Sequence, residues 1–217
     1  MNKTFSIRGA LRYGWSAMKK HFWLFVGMWA VILLVNFGFS FLQGAVEKSA
    51  LAVFVVAVAS MIVQQMLAAG VLVLLIKVYM EDKVKVLEIF DFTKQHLRYV
   101  WATVLYSLII MGGLILLIVP GVIWALKYQF YGYVLMEEGE KTTVWGAFQK
   151  SAGMTKGVRG KLLGFGFVLV GVYVLGFLAL VVGLFAALPV AFMAMTWVYF
   201  QLKNIPEKQI EEQSVIA

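Results

Sequence analysis

Apolar residues in this chain come in long runs, and most of the runs are long enough to reach across a lipid bilayer. A membrane-spanning helix needs about 20 mostly apolar residues. Runs of that kind lie at Phe22–Leu42, Leu51–Tyr79, Leu97–Val119, Leu162–Val182 and Phe185–Leu202. A shorter run, Val122–Met136, follows Pro120 and Gly121. A helix of that length covers roughly 22 Å, against a hydrocarbon core of ~30 Å. Counted as a crossing, it brings the expectation to six spans. Pro120 lacks an N–H and Gly121 accepts turn dihedrals, so this pair is expected to break the chain between the third and fourth spans.

Shorter amphipathic stretches precede the runs. Phe5, Ile7, Leu11 and Trp15 recur at near-helical spacing with Arg8, Arg12 and Lys19 between them, the pattern of a helix lying in a membrane interface. Val84, Leu87 and Phe90 give the segment Glu81–His96 a second such pattern. A third helix, capped by Thr142 or Thr143, carries Val144, Ala147, Phe148 and Ser151. The expected fold class is therefore all-α, a polytopic transmembrane bundle. Its six spans form three hairpins, each preceded by an interfacial amphipathic helix. The last hairpin is expected to turn near Gly183, with Pro189 kinking the final span unless the helix starts there. Residues 1–203 form one membrane domain, and 204–217 a polar tail expected to lack structure. Gly9-Ala10-Leu11 with Lys19 matches Gly146-Ala147-Phe148 with Lys156, and Ile89-Phe90 with Arg98 fits the same frame, so an internal repeat is one reading and chance similarity of amphipathic helices the other.

Charge gives this thread a direction. Lys3, Arg8, Arg12, Lys19 and Lys20 lie before the first span, and Lys77, Lys83, Lys85, Lys94 and Arg98 between the second and third. Lys141, Lys150, Lys156, Arg159 and Lys161 follow the fourth, Lys203 and Lys208 the sixth, and the intervening gaps hold only Lys48. Cytoplasmic loops are enriched in Lys and Arg, so both termini are expected in the cytoplasm, in the plasma membrane of a bacterium. The start is not read as a cleaved signal peptide, because its apolar run exceeds the usual 7–15 residues. Composition agrees with a bilayer protein: 62% hydrophobic and 14% charged over 217 residues, with a mean hydropathy of +0.88. The net charge of +8 is read as attraction to anionic headgroups rather than to nucleic acid, because the basic residues flank spans. There is no cysteine, which excludes thiolate chemistry.

Residues that carry chemistry are few. The eleven acidic residues lie in loops, at span ends or in the tail, whereas proton-coupled carriers place acids within the membrane. His21 and His96 sit at span entrances without metal-ligand spacing. Lys127 is the one ionisable group well inside a span. It is either a cationic contact for an anionic headgroup or substrate, or a lysine snorkelling among Trp124, Tyr128 and Tyr131. Asn36, Gln64, Gln65, Gln129 and Thr196 are the other polar groups at depth, and amides there commonly bond between helices. Gly160 and Gly164 make a small-xxx-small pair that permits close helix approach. Trp23, Tyr79, Tyr99, Trp101, Tyr133 and Trp197 fit interfacial aromatic belts. No phosphate loop, nucleophile elbow, zinc helix or dinucleotide fingerprint is present.

The second half of the chain resembles a known group. Ile118-Val119-Pro120-Gly121-Val122-Ile123-Trp124, then Tyr131 to Glu137, Ala147-Phe148-Gln149-Lys150-Ser151 and Met154-Thr155-Lys156-Gly157 resemble the YciC-like bacterial six-span membrane proteins and the membrane domain attached to some glycerophosphodiester phosphodiesterases. The resemblance covers roughly residues 97–202 and the first half by architecture. It implies a polytopic membrane protein, mostly without an assigned activity. The catalytic phosphodiesterase domain is lacking here, so no hydrolase activity carries over.

The function expected from these residues is non-enzymatic, with no cofactor. The chain is read as an accessory or scaffold factor whose basic interfacial residues Arg8, Arg12, Lys19, Lys156 and Arg159 touch anionic lipid headgroups, with a membrane-protein partner or a second copy as further partners. The alternative is a transporter component for a lipid or other amphiphile, built on the Pro120-Gly121 turn with Lys127, Gln64, Gln65 and Gln129 as contacts.

Overall fold

A computed structural model describes residues 4–80, 84–91 and 94–216, with the side chains of 180–182 and 205–216 left undescribed. The described residues form helices joined by short turns, with no strand among them. They are α1 (Ile7–Lys20), α2 (Phe22–Ala45), α3 (Ala50–Tyr79), α4 (Lys94–Leu116), α5 (Ile118–Tyr128), α6 (Tyr131–Glu138), α7 (Val144–Thr155), α8 (Arg159–Leu178) and α9 (Leu180–Ile216). Short 3-10 turns lie at Val86–Phe90 and Gly139–Lys141.

Five stretches among the described residues are helical, long and apolar enough to cross a membrane: α2, α3, α4, α8 and Gly183–Asn204 of α9. Large apolar side chains stand exposed on these helices, including Phe37, Phe41, Leu51, Phe54, Leu108, Phe167 and Phe177. Exposure of this extent is intolerable in water and is what hydrocarbon solvates.

The helix ends follow the sequence in some places and depart from it in others. The first two spans match within a few residues at each end. The expected fourth span, Val122–Met136, is two helices, neither long enough to cross alone, because the chain bends at Gln129 and Phe130. The Pro-Gly pair does not make the preceding turn. Leu117 makes it, in extended backbone (φ −169°, ψ 151°), and α5 begins at Ile118. Pro120 then occupies the third helical position, where the missing N–H is one that a helix start leaves unbonded anyway. Gly121 serves packing: a Cβ there would lie 2.6 Å from Leu114 Cδ2, and one at Gly113 2.8 Å from the Gly121 Cα. The two glycines let α4 and α5 touch backbone to backbone.

Three further expectations change. The last turn falls at Ala179 rather than near Gly183, so Pro189 lies within α9 and not at its start. The chain after Asn204 continues α9 to Ile216 instead of beginning a tail without structure. Around Gly160 and Gly164 nothing lies within 4 Å of a built Cβ. That pair makes no close helix approach among the described residues, whereas Gly176 and Gly183 do, with the Gly183 carbonyl oxygen 3.0 Å from a Cβ built on Gly176.

The amphipathic segments pack rather than float. In α1 the Ser6 hydroxyl accepts from Gly9 N–H at 3.1 Å and caps the helix. Its apolar face of Ala10, Gly14, Ala17 and Met18 is buried, while Arg8, Arg12, Trp15 and Lys19 are exposed. That face lies along α9, so closely that a Cβ on Gly14 would sit 2.3 Å from the Val190 carbonyl oxygen. Thr143 caps α7 in the same way, accepting from Gly146 N–H at 3.0 Å. The middle segment is no matching helix. It is the 3-10 turn at Val86–Phe90, folded back so that the Ile89 carbonyl oxygen reaches Gly70 of α3, with Lys77 paired to Glu88 at 2.5 Å. Residues 81–83 and 92–93 of that segment lie outside the described residues.

Candidate functional site

Two buried hydroxyl side chains, Ser151 and Thr155, stand where α5 breaks into α6. A helix break frees backbone N–H and C=O groups, and within a membrane these need partners from the protein. Here α7 supplies them. Ser151 Oγ donates to the Lys127 carbonyl at 3.1 Å and accepts from Phe130 N–H at 3.1 Å. Thr155 Oγ1 is within donating distance of the same Lys127 carbonyl at 3.1 Å and of the Ser151 carbonyl, one turn back on its own helix, at 3.0 Å. Ser151 and Thr155 are fully buried and stand one helical turn apart, so both hydroxyls reach the same break.

Around the break lies an aromatic core. All six residues from Tyr131 to Met136 are buried. Tyr131 stacks on Phe148 with ring centroids 5.0 Å apart, and Tyr133 stacks on Tyr199 at 5.1 Å. Their hydroxyls are partnered: Tyr131 with Thr103 at 2.8 Å and Tyr133 with Thr196 at 3.3 Å.

The far end of α6 carries an ionic cluster. Glu137 accepts from the buried Tyr199 hydroxyl and pairs with Lys203 at 2.7 Å. Glu138 pairs with Lys150, and Arg98 at the start of α4 donates to the carbonyls of Gly139, at 3.0 Å, and of Thr142. In the same region Tyr79, the last residue of α3, stacks on Phe200 with centroids 4.1 Å apart, and Lys161 near the start of α8 donates to Thr4. The basic ends of α3, α4, α8 and α9 are thus gathered at one end of the bundle.

The residues expected to contact a lipid or substrate do not converge. Gln129 ends α5, where its side-chain N–H donates to the Leu126 carbonyl at 3.3 Å. Gln64 lines a lateral groove of about 350 Å³ with Asn36, Trp29, Leu67 and Phe192. Gln65 lines a different groove of about 240 Å³ with Thr103 and Ser107. Lys127 stands in the last turn of α5, its ammonium 4.8 Å from the Tyr128 ring centroid. Arg8, Arg12 and Lys19 share the exposed face of α1, Lys156 ends α7 and Arg159 opens α8.

Four participants were not singled out from sequence for these roles. From sequence Ser151 reads as part of an amphipathic face, Glu137 as a carboxylate at a span end and Thr155 as one residue of the stretch Met154–Gly157 that carries the resemblance, while Tyr199 bears no mark. Two hydroxyl residues four apart on an apolar helical face were the signal available. Comparison with protein-family models, with curated proteins and with solved structures finds no match to this chain.

Proposed function

We propose that the chain is a non-enzymatic multi-pass protein of the bacterial cytoplasmic membrane, an accessory or scaffold factor that holds anionic lipid against its basic end. The observation that carries this reading is the arrangement of unpaired cations. Arg8 and Arg12 stand exposed on α1, Lys156 at the end of α7 is exposed too, and none has a carboxylate partner among the described residues. Each basic residue near an anionic surface is worth about 1 kcal/mol of attraction. With both termini and the three long basic segments on the cytoplasmic side, α5 and α6 together make a sixth, broken crossing. Support comes from their course beside α4, from the Gly113–Gly121 contact at one end to Arg98 and Gly139 at the other. The resemblance to YciC-like proteins belongs to the same reading.

The test uses the full chain reconstituted in vesicles of phosphatidylcholine with phosphatidylglycerol. Lipid retained on the purified protein is expected to be enriched about twofold or more in phosphatidylglycerol. Replacing Arg8, Arg12, Lys19 and Lys156 together by Gln should abolish most of that enrichment. Retained lipid of bulk composition in the unaltered protein would overturn the reading.

The transporter alternative is favoured by one observation, the discontinuous α5–α6 pair beside Lys127, since broken helices build many substrate sites. It requires that Lys127→Met abolish movement of an amphiphile while the protein still folds, which growth and transport assays on the variant decide.

A further inference from the structure

We propose that the groove between α5 and the first turn of α8 binds one anionic phospholipid, its phosphate held by Arg159 and Lys127 and an acyl chain laid along α5. This rests on the reading that the basic end of the bundle faces anionic headgroups.

The groove has a volume of about 380 Å³ and is lined by Ile118, Val119, Val122, Ile123 and Leu163, with Arg159 as its one charged lining residue. The α5 residues recur at helical spacing, so one face of the helix forms the floor. Ile118, Val119 and Ile123 are all exposed. A hydrocarbon chain lying there removes apolar surface from nothing more favourable than bulk lipid, so hydrocarbon alone gives no preference for this place. Preference has to come from the polar end.

That end is built for an anion. Arg159 Nε is buried and has no hydrogen-bond partner among the described residues. Arg159 also makes no ion pair among the described residues. It is the first residue of α8, and the residue before it, Val158, offers no side-chain cap. The first intrahelical bond of α8 runs from Leu162 N–H to the Val158 carbonyl, which leaves the earlier N–H groups to other acceptors. A cation at a helix start opposes the helix dipole, and an anion shared between the guanidinium and the free N–H groups resolves both conflicts. Lys127 adds a second charge. It lies one turn beyond Ile123 on the same side of α5, and its carbonyl is tied to Thr155, one residue before Lys156. Its ammonium lies over the Tyr128 ring and forms no ion pair among the described residues.

The occupant follows from charge complementarity. Two cations beside a hydrocarbon trough call for a negative group and a long chain in one molecule. A zwitterionic phospholipid brings no net charge to answer the two cations, and a free phosphate leaves the trough empty.

The experiment uses the full chain in vesicles, with phosphatidylglycerol or phosphatidylcholine carrying a diazirine on one acyl chain, and peptide mapping of the adducts. Labelling within 118–127 and 159–163 is expected to be about fivefold or more stronger with the phosphatidylglycerol probe, as two basic contacts of roughly 1 kcal/mol each allow. Arg159→Gln with Lys127→Gln should remove that excess, and Arg159→Lys should keep part of it. Arg8→Gln with Arg12→Gln should leave it in place. Size-exclusion elution and helical circular dichroism identify any variant that fails to fold. For such a variant the probe comparison on the unaltered protein decides. Equal labelling by the two probes, an excess that survives in the folded Arg159/Lys127 variant, or a chain-to-chain adduct at these residues overturns the proposal. Overall enrichment in phosphatidylglycerol without groove labelling sinks this site and leaves the broader function standing.

Discussion

Ser151 shows how much a single hydroxyl settles. It bonds both sides of the α5–α6 break, so Ser151→Ala leaves the buried Phe130 N–H without an acceptor. An unsatisfied buried donor costs about 1–3 kcal/mol, and the variant should lose that much in a denaturant titration of the purified protein. Thr155→Val should cost less, because Ser151 still donates to the Lys127 carbonyl. The double variant should cost more than the two singles summed, since the hydroxyls back each other up at one acceptor. Strict additivity would show that they act independently. Glu88 gives a pH test at the same scale. The Lys77 hydrogen bond, and then the Lys85 N–H, hold its carboxyl below the ordinary value of 4.5. A lowered folded value means stabilisation that is full above the unfolded value and lost as pH falls through the folded one. Protection of the Val86–Phe90 amides, taken relative to the intrinsic exchange rate at each pH, should therefore fall only below about the usual carboxylate range, and Glu88→Gln should flatten that response. An acid-induced change of equal size in Glu88→Gln would place the cause elsewhere. The contact of Lys85 N–H with Glu88 is local, three residues apart, whereas those of Ser151 are not legible in sequence, because Ser151 and Phe130 are far apart along the chain and nothing local pairs them.

At the scale of elements, long apolar runs were readable because span length is set by the bilayer and needs no partner. The ends of α2 and α3 therefore fall where hydropathy puts them. Breaks were less readable. Pro120 attracted the turn, yet proline suits the first turn of a helix as well as its end, and Leu117 carries no mark of its own. The same holds for glycines, whose role depends on what stands opposite. Gly14 meets the Val190 carbonyl and Gly164 meets nothing within 4 Å. Gly14→Ala should then destabilise by about 1–3 kcal/mol through overpacking and loosen α1 from α9. Gly164→Ala should be neutral or slightly stabilising, because helical alanine is favoured over glycine by roughly 1 kcal/mol. Protease sensitivity of the α1 segment separates the two variants, and equal sensitivity would mean that α1 is not held by this contact. The apparent kinship of α1 and α7 survives in their hydroxyl caps three residues before glycine, with Ala10 and Ala147 both fully buried. The 3-10 turn at Val86–Phe90 does not share it.

For the whole molecule the question is how the chain threads the bilayer. The two ends of the bundle differ in polarity. One gathers Arg98, Glu137, Lys203 and Lys161 around buried tyrosines. At the other, the α2–α3 turn carries Glu47 and Lys48, but the α4–α5 turn from Leu114 to Val119 is wholly apolar and exposed. A turn without a polar side chain belongs below the headgroups, and its single extended residue keeps the unbonded backbone to a minimum there. The chain has no cysteine, so single substitutions can be labelled with a membrane-impermeant maleimide without background. Lys48→Cys should react from outside the cell and Glu140→Cys only in inverted vesicles, because α5 and α6 bring the chain back past the full length of α4. Leu117→Cys should react poorly from either side until the membrane is dissolved in detergent. Labelling of Lys48→Cys and Glu140→Cys from one side would mean that α5 and α6 dip and return. The basic segment 141–161 would then stand on the side that the positive-inside pattern forbids.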